Sequence, residues 1–165
     1  MKAKGFVIGT LFTVIICLHL RIVLFPDGFG MPMNYQLSYF GSDYYELYSI
    51  QTSNEMDIGR EIVDRVKSCM EYTGNKEDAP ETDAVSRYYN WEHFERSACT
   101  RTEVDISLRK SVIHGDKGSV WINYSQAWFD ENDVRIYGAY DILARCTIEK
   151  DNSGKWLVTA IHEPP

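Results

Sequence analysis

The stretch VRIYGAYDILARCTIEK, residues 134–150, decides the fold, because apolar and polar side chains alternate along its whole length. The even positions are mostly apolar: Val134, Ile136, Gly138, Tyr140, Ile142, Ala144, Cys146 and Ile148. The odd positions are mixed and mostly polar. A period of two is typical of a strand that buries one face. The sequence therefore predicts one long strand, and Gly138 permits the bend that such a strand needs when its sheet wraps a helix.

Three neighbouring stretches show the same alternation and complete a sheet. They are the run that begins at Glu103, the run SVWINYSQAWF at 119–129, and KWLVTAIHE at 155–163. Turn residues lie between consecutive runs, at 114–118, 130–133 and 151–154. Short connections between consecutive strands predict a four-stranded antiparallel meander.

Helical periodicity precedes the strands. Ser53 or Asn54 can cap a helix that ends after Tyr72, before Gly74. Its apolar stripe has three- and four-residue spacing: Ile58, Ile62, Val63, Val66, Cys69 and Met70. After an acidic loop, GNKEDAPETD at 74–83, an aromatic pattern predicts a second helical stretch at about 83–98. We therefore expect an α+β domain with one or two helices packed on a curved four-stranded antiparallel sheet.

The element order, the long alternating strand and the closing GKWLVTAIHEPP (154–165) resemble the nuclear transport factor 2-like, or cystatin-like, α+β roll. The chain is more narrowly similar to small bacterial membrane-anchored proteins that carry this roll outside the cell. The resemblance covers residues 50–165 and is a pattern of elements rather than a signature motif. The strand pair that many such rolls place between their helices is not evident, which leaves a simpler cystatin-like arrangement open.

The N-terminal segment predicts a membrane anchor. The uncharged run 5–20 would be about 24 Å long as a helix, whereas residues 5–25 reach about 32 Å and match the hydrocarbon layer of about 30 Å. Arg21 lies close enough to the end to reach the interface. Lys2 and Lys4 place the N-terminus in the cytoplasm. We expect a cytoplasmic tail (1–4), a signal anchor (5–25), a Tyr-rich connector (26–52) and an extracytoplasmic roll (53–165).

The alternative is a cleaved leader, which would make the domain a secreted one. Gly28-Phe29-Gly30 could supply the small residues of a cleavage site, although an A-x-A-like site is absent. Beyond residue 25 the chain holds all 24 acidic residues against 14 Lys and Arg, a formal charge of −10. Such a surface repels phosphate, so nucleic acid is not expected as a partner.

The cysteines beyond the anchor, Cys69, Cys99 and Cys146, are odd in number. Buried free thiols are the favoured interpretation, with a Cys69–Cys99 disulfide as the alternative in an oxidising compartment. Their spacing indicates no zinc site, and the histidines His93, His114 and His162 are scattered. Neither a metal nor a cofactor is therefore expected.

The sequence favours a non-catalytic module that binds or assembles with a protein partner or a small ligand. Enzymes with this roll place an acid or base and a tyrosine inside its cone. The inward face of the long strand offers only Tyr140 and a thiol, so no catalytic residue is assigned. The predicted contact patch consists of Trp121, Phe129, Tyr137 and Asp141. The alternative is that the three aromatic residues lie under a neighbouring segment such as the Tyr-rich connector. The alternative is a small isomerase- or hydrolase-type enzyme that uses Asp141 or His162 in the cone.

Overall fold

A computed structural model describes residues 33–74, 76–90 and 99–164, with side chains from Tyr35 onward. The chain divides into two compact units, and the second begins at Ser49. No helix within the described ranges is both long and apolar enough to cross a membrane. The predicted tail, the anchor at 5–25 and the alternative cleavage site at 28–30 lie outside the described residues, so they stay predictions.

The described part of the first unit is helical. Helix α1 spans Met33–Phe40 and is followed by a 3-10 helix, Gly41–Tyr48. Gly41, the first residue of the 3-10 helix, has φ +60°, in the left-handed region that favours glycine. The Tyr44 hydroxyl donates to Gln36 Oε1 at 2.5 Å. The portion of the predicted connector that the structure covers here therefore has local helical order.

Helix α2, Ser53–Glu71, confirms the first predicted helix. Its N-cap is Thr52, one residue before the predicted caps. The Thr52 hydroxyl accepts from the Glu55 backbone N–H at 3.3 Å, while the Glu55 carboxylate accepts from the Thr52 N–H at 2.7 Å. This reciprocal pair is a capping box. The predicted apolar stripe faces the core, with Ile62, Val66, Cys69 and Met70 buried.

The prediction of a continuous second helix at 83–98 is wrong over its first part. Asp83 caps only a short 3-10 helix, Ala84–Tyr88, and the chain turns extended at Tyr89 (φ −66°, ψ 132°). Two hydrogen bonds hold this extended segment: the Glu81 N–H donates to the Tyr89 hydroxyl, and Asn90 Nδ2 donates to the Met70 carbonyl. Tertiary contacts thus override the helical pattern. Residues 91–98 lie outside the described residues.

The four predicted strands form one antiparallel sheet in the order β1-β2-β3-β4, which confirms the meander and the α+β class. Their bounds are β1 Arg101–His114, β2 Lys117–Phe129, β3 Arg135–Lys150 and β4 Trp156–His162. Helix α2 packs on one side of this sheet, which we call the helix face; the opposite side is the outer face. The described core lies between α2 and the helix face.

Gly59 lets α2 approach β1 closely. A Cβ atom built there would lie 2.7 Å from Ser111 Oγ and 2.8 Å from the Leu108 side chain. Real carbon atoms do not approach so closely, so a larger residue would push the helix away from the strand. Glycine inside a helix lowers the stability by about 1 kcal/mol relative to alanine. At position 59 the absence of a side chain is what permits the contact.

A β-bulge divides β3. Tyr124 pairs with Ile142 and Gln126 pairs with Ala139, so two residues of β3 oppose one residue of β2. Asp141 lies in the bulge with φ +53°. One extra residue exchanges the two faces of the strand. The prediction that the even positions of 134–148 all face inward is therefore correct from Ile142 onward and wrong before it.

All three described cysteines are free and buried, as the favoured interpretation expected, and the alternative Cys69–Cys99 disulfide is not formed. Burial raises the pKa of the Cys69 thiol to about 11. It raises the pKa of the Cys146 thiol, which faces the core from β3, to about 12. Both thiols are therefore protonated and unreactive in the folded chain at neutral pH.

We expect the free energy of unfolding to fall as the pH rises above about 8.5, where cysteine thiols of the unfolded chain ionise. The folded chain keeps the Cys69 and Cys146 protons up to a pKa of about 11 and about 12, so in this window it binds more protons than the unfolded chain. The stability contributed by the two thiols is complete below about pH 8.5 and is lost progressively above it.

Urea unfolding at about pH 7.5, 9 and 10 measures this loss. Cys146→Ala is the control, because it removes one of the two titrating thiols from the core. Its free energy of unfolding should depend less steeply on pH than that of the native chain. Equal slopes for the two proteins would show that the Cys146 thiol does not contribute to the dependence.

Candidate functional site

A network around Arg65 joins α2 to the acidic loop and to β4. The Arg65 guanidinium donates to Glu81 at 2.9 and 2.5 Å, to Asp83 Oδ2 at 2.7 Å and to the Trp156 carbonyl at 2.9 Å. Asp83 Oδ2 also accepts from the Val158 N–H at 2.8 Å. The hydrogen bonds with Glu81, opposed by burial, raise the pKa of Arg65. Because each partner is satisfied by another, the network stabilises the fold and offers no group for chemistry.

A second polar cluster lies at the end of β4, on the helix face. Glu163 Oε1 accepts from the hydroxyls of Tyr88 and Tyr124, and its Oε2 lies 3.2 Å from Arg87 Nη2. Burial is the main cause that raises the pKa of both Tyr88 and Tyr124, and the Glu163 carboxylate adds to it. The hydroxyls therefore stay protonated and donate to the carboxylate.

The Glu163 cluster places an ionisable group on the helix face, outside the long strand for which none was expected. The expectation considered only the long strand, whereas this carboxylate comes from beyond β4 and its tyrosine partners from two other elements. A carboxylate beside tyrosines is an arrangement that proton-transfer enzymes use. Here the Glu163 side chain is only 16% exposed and both of its oxygens are engaged. The contacts fit a clamp that holds the C-terminal segment against the sheet.

The outer face carries an open groove of about 380 Å³ near the start of β3. Its side chains include two carboxylates, two aromatic rings, a hydroxyl and a guanidinium: Glu103, Asp105, Phe129, Tyr140, Ser125 and Arg135. The Arg135 guanidinium lies 4.3 Å from the centre of the Tyr140 ring. The Arg101 guanidinium lies 4.0 Å from the centre of the Phe129 ring. Rings with charged neighbours at an open groove can bind a partially polar ligand by stacking and ion pairing.

The predicted patch residues divide between the two faces. Trp121 is fully buried, and Phe129 is partly exposed in the groove. Tyr137, predicted on the same face as Trp121, instead lies on the helix face against Trp128, with the ring centres 5.2 Å apart. The bulge at Asp141 explains this difference. Phe129 and Asp141 remain on the open part of the outer face, and their role in binding stays a prediction.

Asp141 itself is fixed by its neighbours on β2. Its carboxylate accepts from Asn123 Nδ2 at 2.6 Å, and its backbone N–H donates to Ser125 Oγ at 3.0 Å. Asn123 Oδ1 is buried and has no hydrogen-bond partner among the described residues. An unsatisfied buried acceptor is uncommon in native proteins. The bulge therefore presents an exposed carboxylate beside the groove, held in a defined position.

The residues proposed for the enzyme alternative lie on the outer face of the sheet rather than on the helix face. His162 pairs with Arg145, on the outer face, and is exposed at the end of β4. Asp141 is also on the outer face. Within the described parts of the chain, no group of three or more His, Cys, Asp or Glu residues is arranged to hold a metal ion.

Sequence reasoning missed most of the groove. Glu103 and Asp105 alternate with the apolar residues of β1, and nothing in that pattern separates a binding carboxylate from a solvated one. Tyr140 was assigned to the core, because the alternation gives no sign of the bulge beside it. Glu163 was visible as an acid after the last strand, but its tyrosine partners are distant in sequence.

Comparison with known proteins does not assign the chain to a family. No protein-family model matches it, and a search of curated proteins found no match.

Proposed function

We propose that this chain is a non-catalytic recognition module, with a cystatin-like roll held outside the cell by the segment 5–25. Its outer-face groove would bind a protein partner. The observation that carries the proposal is the contrast between the two faces of the sheet. On the helix face the Glu163 carboxylate accepts hydrogen bonds from Tyr88 and Tyr124, whereas the outer face has an open groove with charged and aromatic side chains.

The groove supports recognition better than catalysis. Glu103 and Asp105 in the groove and Asp141 beside it are exposed to solvent, whereas a general acid or base acts from a site that excludes water. Exposed rings and charges on a rigid sheet are features of interaction surfaces. Tyr140 is 50% exposed and lines this candidate surface.

The curved roll is proposed from the sheet and its bulges. The register shifts within the β1–β2, β2–β3 and β3–β4 pairs, and each shift allows a bend. A 16-residue β3 that is interrupted by a bulge fits the cystatin-like arrangement. The location outside the cell is proposed from the charge of the N-terminal segment and its length.

Photo-cross-linking in the native membrane tests the recognition surface. A photoreactive phenylalanine derivative replaces Tyr140 in the full chain, and the control carries it at Glu61, which is exposed on α2. We expect one discrete cross-linked protein from position 140 and none from position 61. At equal expression, no product at 140, or the same product at both positions, would contradict the proposal.

Intact-mass measurement and a topology reporter test the anchor. A retained anchor predicts a membrane-bound chain of 19.1 kDa whose C-terminal reporter is active outside the cytoplasm. A mature chain that begins at Met31 would overturn the anchor and leave a secreted domain.

A further inference from the structure

We propose that the free edge of β1, residues 102–108, binds an extended basic segment of a partner protein as an added β-strand. This inference rests on the proposed recognition function and names the partner's chemistry and its mode of binding. The arguments are the direction of the edge backbone groups, the charge beside them and the groove next to them.

β1 is an edge strand, because its only strand neighbour in the described sheet is β2. The Ile113 N–H donates to Glu55 Oε1 at 3.0 Å, so it points away from β2. In an antiparallel strand the direction of the backbone groups alternates together with the side-chain face. Val104 and Ile106 lie on the helix face, as Ile113 does. The three residues share a face because the register shift between Leu108 and Lys110 adds one residue to β1. Their N–H and C=O groups therefore point outward from the sheet.

The two halves of this edge differ. Near the β1–β2 hairpin the edge is covered by residues 49–55. Ser111 Oγ accepts from Gln51 Nε2 at 2.7 Å and donates to the Glu55 carbonyl. Lys110 donates to the Ser49 carbonyl. Along 102–108 no described residue forms a hydrogen bond with the outward backbone groups of Val104 or Ile106. A row of such groups is a ready site for another strand.

The charge beside the free edge selects a basic occupant. Glu103 and Asp105 are exposed on the outer face of β1, and directly opposed side chains of an added strand would lie about 5 Å away. Arg101 pairs with Glu103 at 2.6 Å, whereas Asp105 has no ion pair with any described residue. Lysine or arginine side chains at alternate positions would reach these carboxylates and the groove behind them.

A second copy of this chain is a poorer occupant than a basic segment. The formal charge of −10 beyond residue 25 makes two copies repel each other, whereas it attracts a cationic segment. Exposed charges on an edge strand are also a known protection against self-pairing. The edge therefore favours a partner of opposite charge over itself.

Fluorescence anisotropy with a labelled eight-residue peptide of alternating lysine and valine tests the proposal on the full chain in mild detergent. The peptide with glutamate in place of lysine should not bind. Two further peptides carry backbone N-methyl groups, one on every lysine and one on every valine. Only one edge of the bound peptide forms backbone hydrogen bonds with β1, so methyl groups on that edge should abolish binding. Methyl groups on the opposite edge should leave binding unchanged. Equal binding by both would overturn strand addition.

The charge requirement is tested in the chain itself. Glu103→Lys combined with Asp105→Lys should weaken binding of the lysine–valine peptide by about tenfold or more. Glu61→Lys combined with Asp64→Lys changes the net charge equally on the exposed side of α2 and should leave the affinity unchanged. Equal losses in the two variants would reduce the effect to net charge and overturn the assignment to β1. Circular dichroism checks that both variants are folded.

Two outcomes separate this inference from the proposed function. If the peptide does not bind but position 140 cross-links to a partner, the edge is not the binding site and the recognition function stands. If light scattering shows a stable dimer that the change of Glu103 and Asp105 to lysine dissociates, a second copy occupies the edge and the basic partner is excluded. A monomer that binds the peptide supports the inference.

Discussion

Replacing Arg65 with methionine is expected to lower the free energy of unfolding by about 3–5 kcal/mol. The Arg65 side chain is only 10% exposed, and its guanidinium is the shared donor to Glu81 and Asp83. Methionine fills similar space but leaves two mostly buried carboxylates without a cation. The loss arises chiefly from these uncompensated charges rather than from the absence of one ion pair.

Urea unfolding of Arg65→Met beside Arg60→Met measures this effect. Arg60 pairs with Asp57 at 3.1 Å on the exposed side of α2, with both side chains mostly in solvent. Such a pair contributes between about 0 and 1 kcal/mol, so the control should lie close to the native chain. Similar small losses in both variants would show that the Arg65 network does not join the helix to the acidic loop and β4.

Trp121→Ala is expected to cost about 3–5 kcal/mol, because removing a buried tryptophan loses its packing and leaves a cavity. Trp121 is fully buried, which agrees with the alternative to a contact patch that the sequence left open. The variant therefore separates a structural tryptophan from a contact residue. Its unfolding midpoint in urea gives the measurement.

Tyr140→Ala is the matched control for Trp121→Ala. Tyr140 also projects on the outer face but is 50% exposed, so its truncation should change stability by less than about 1 kcal/mol. We expect Tyr140→Ala to lose partner binding and to retain the fold. A folded Trp121→Ala chain of nearly native stability would instead place Trp121 at a surface.

The elements of the sheet could be predicted because each strand buries one face and so alternates in sequence. Their order followed from the short turns, and α2 followed from its apolar stripe. The short 3-10 helix at 84–88 could not be predicted, since Asn90 and Tyr89 leave the helical path for partners on α2 and in the acidic loop. These partners are distant or weakly patterned in sequence.

The candidate site was less predictable than the fold. A bulge adds one residue without any distinct composition, and the extra residue at Asp141 was enough to move Tyr140 to the outer face and Tyr137 to the helix face. Asp141 was recognised as a candidate from its position between a tyrosine and an arginine. The groove could not be recognised, because it combines side chains from three strands and the placement of Tyr140 on β3 depends on that bulge.

Amide hydrogen exchange, resolved to single residues, tests most directly the central claim that β1 presents a free edge for recognition. In the unliganded chain we expect rapid exchange at Val104 and Ile106, and slow exchange at Glu103 and Asp105, whose N–H groups point toward β2. Saturating lysine–valine peptide should slow exchange at Val104 and Ile106. Slow exchange there before the peptide is added, or no change after it binds, would contradict the account.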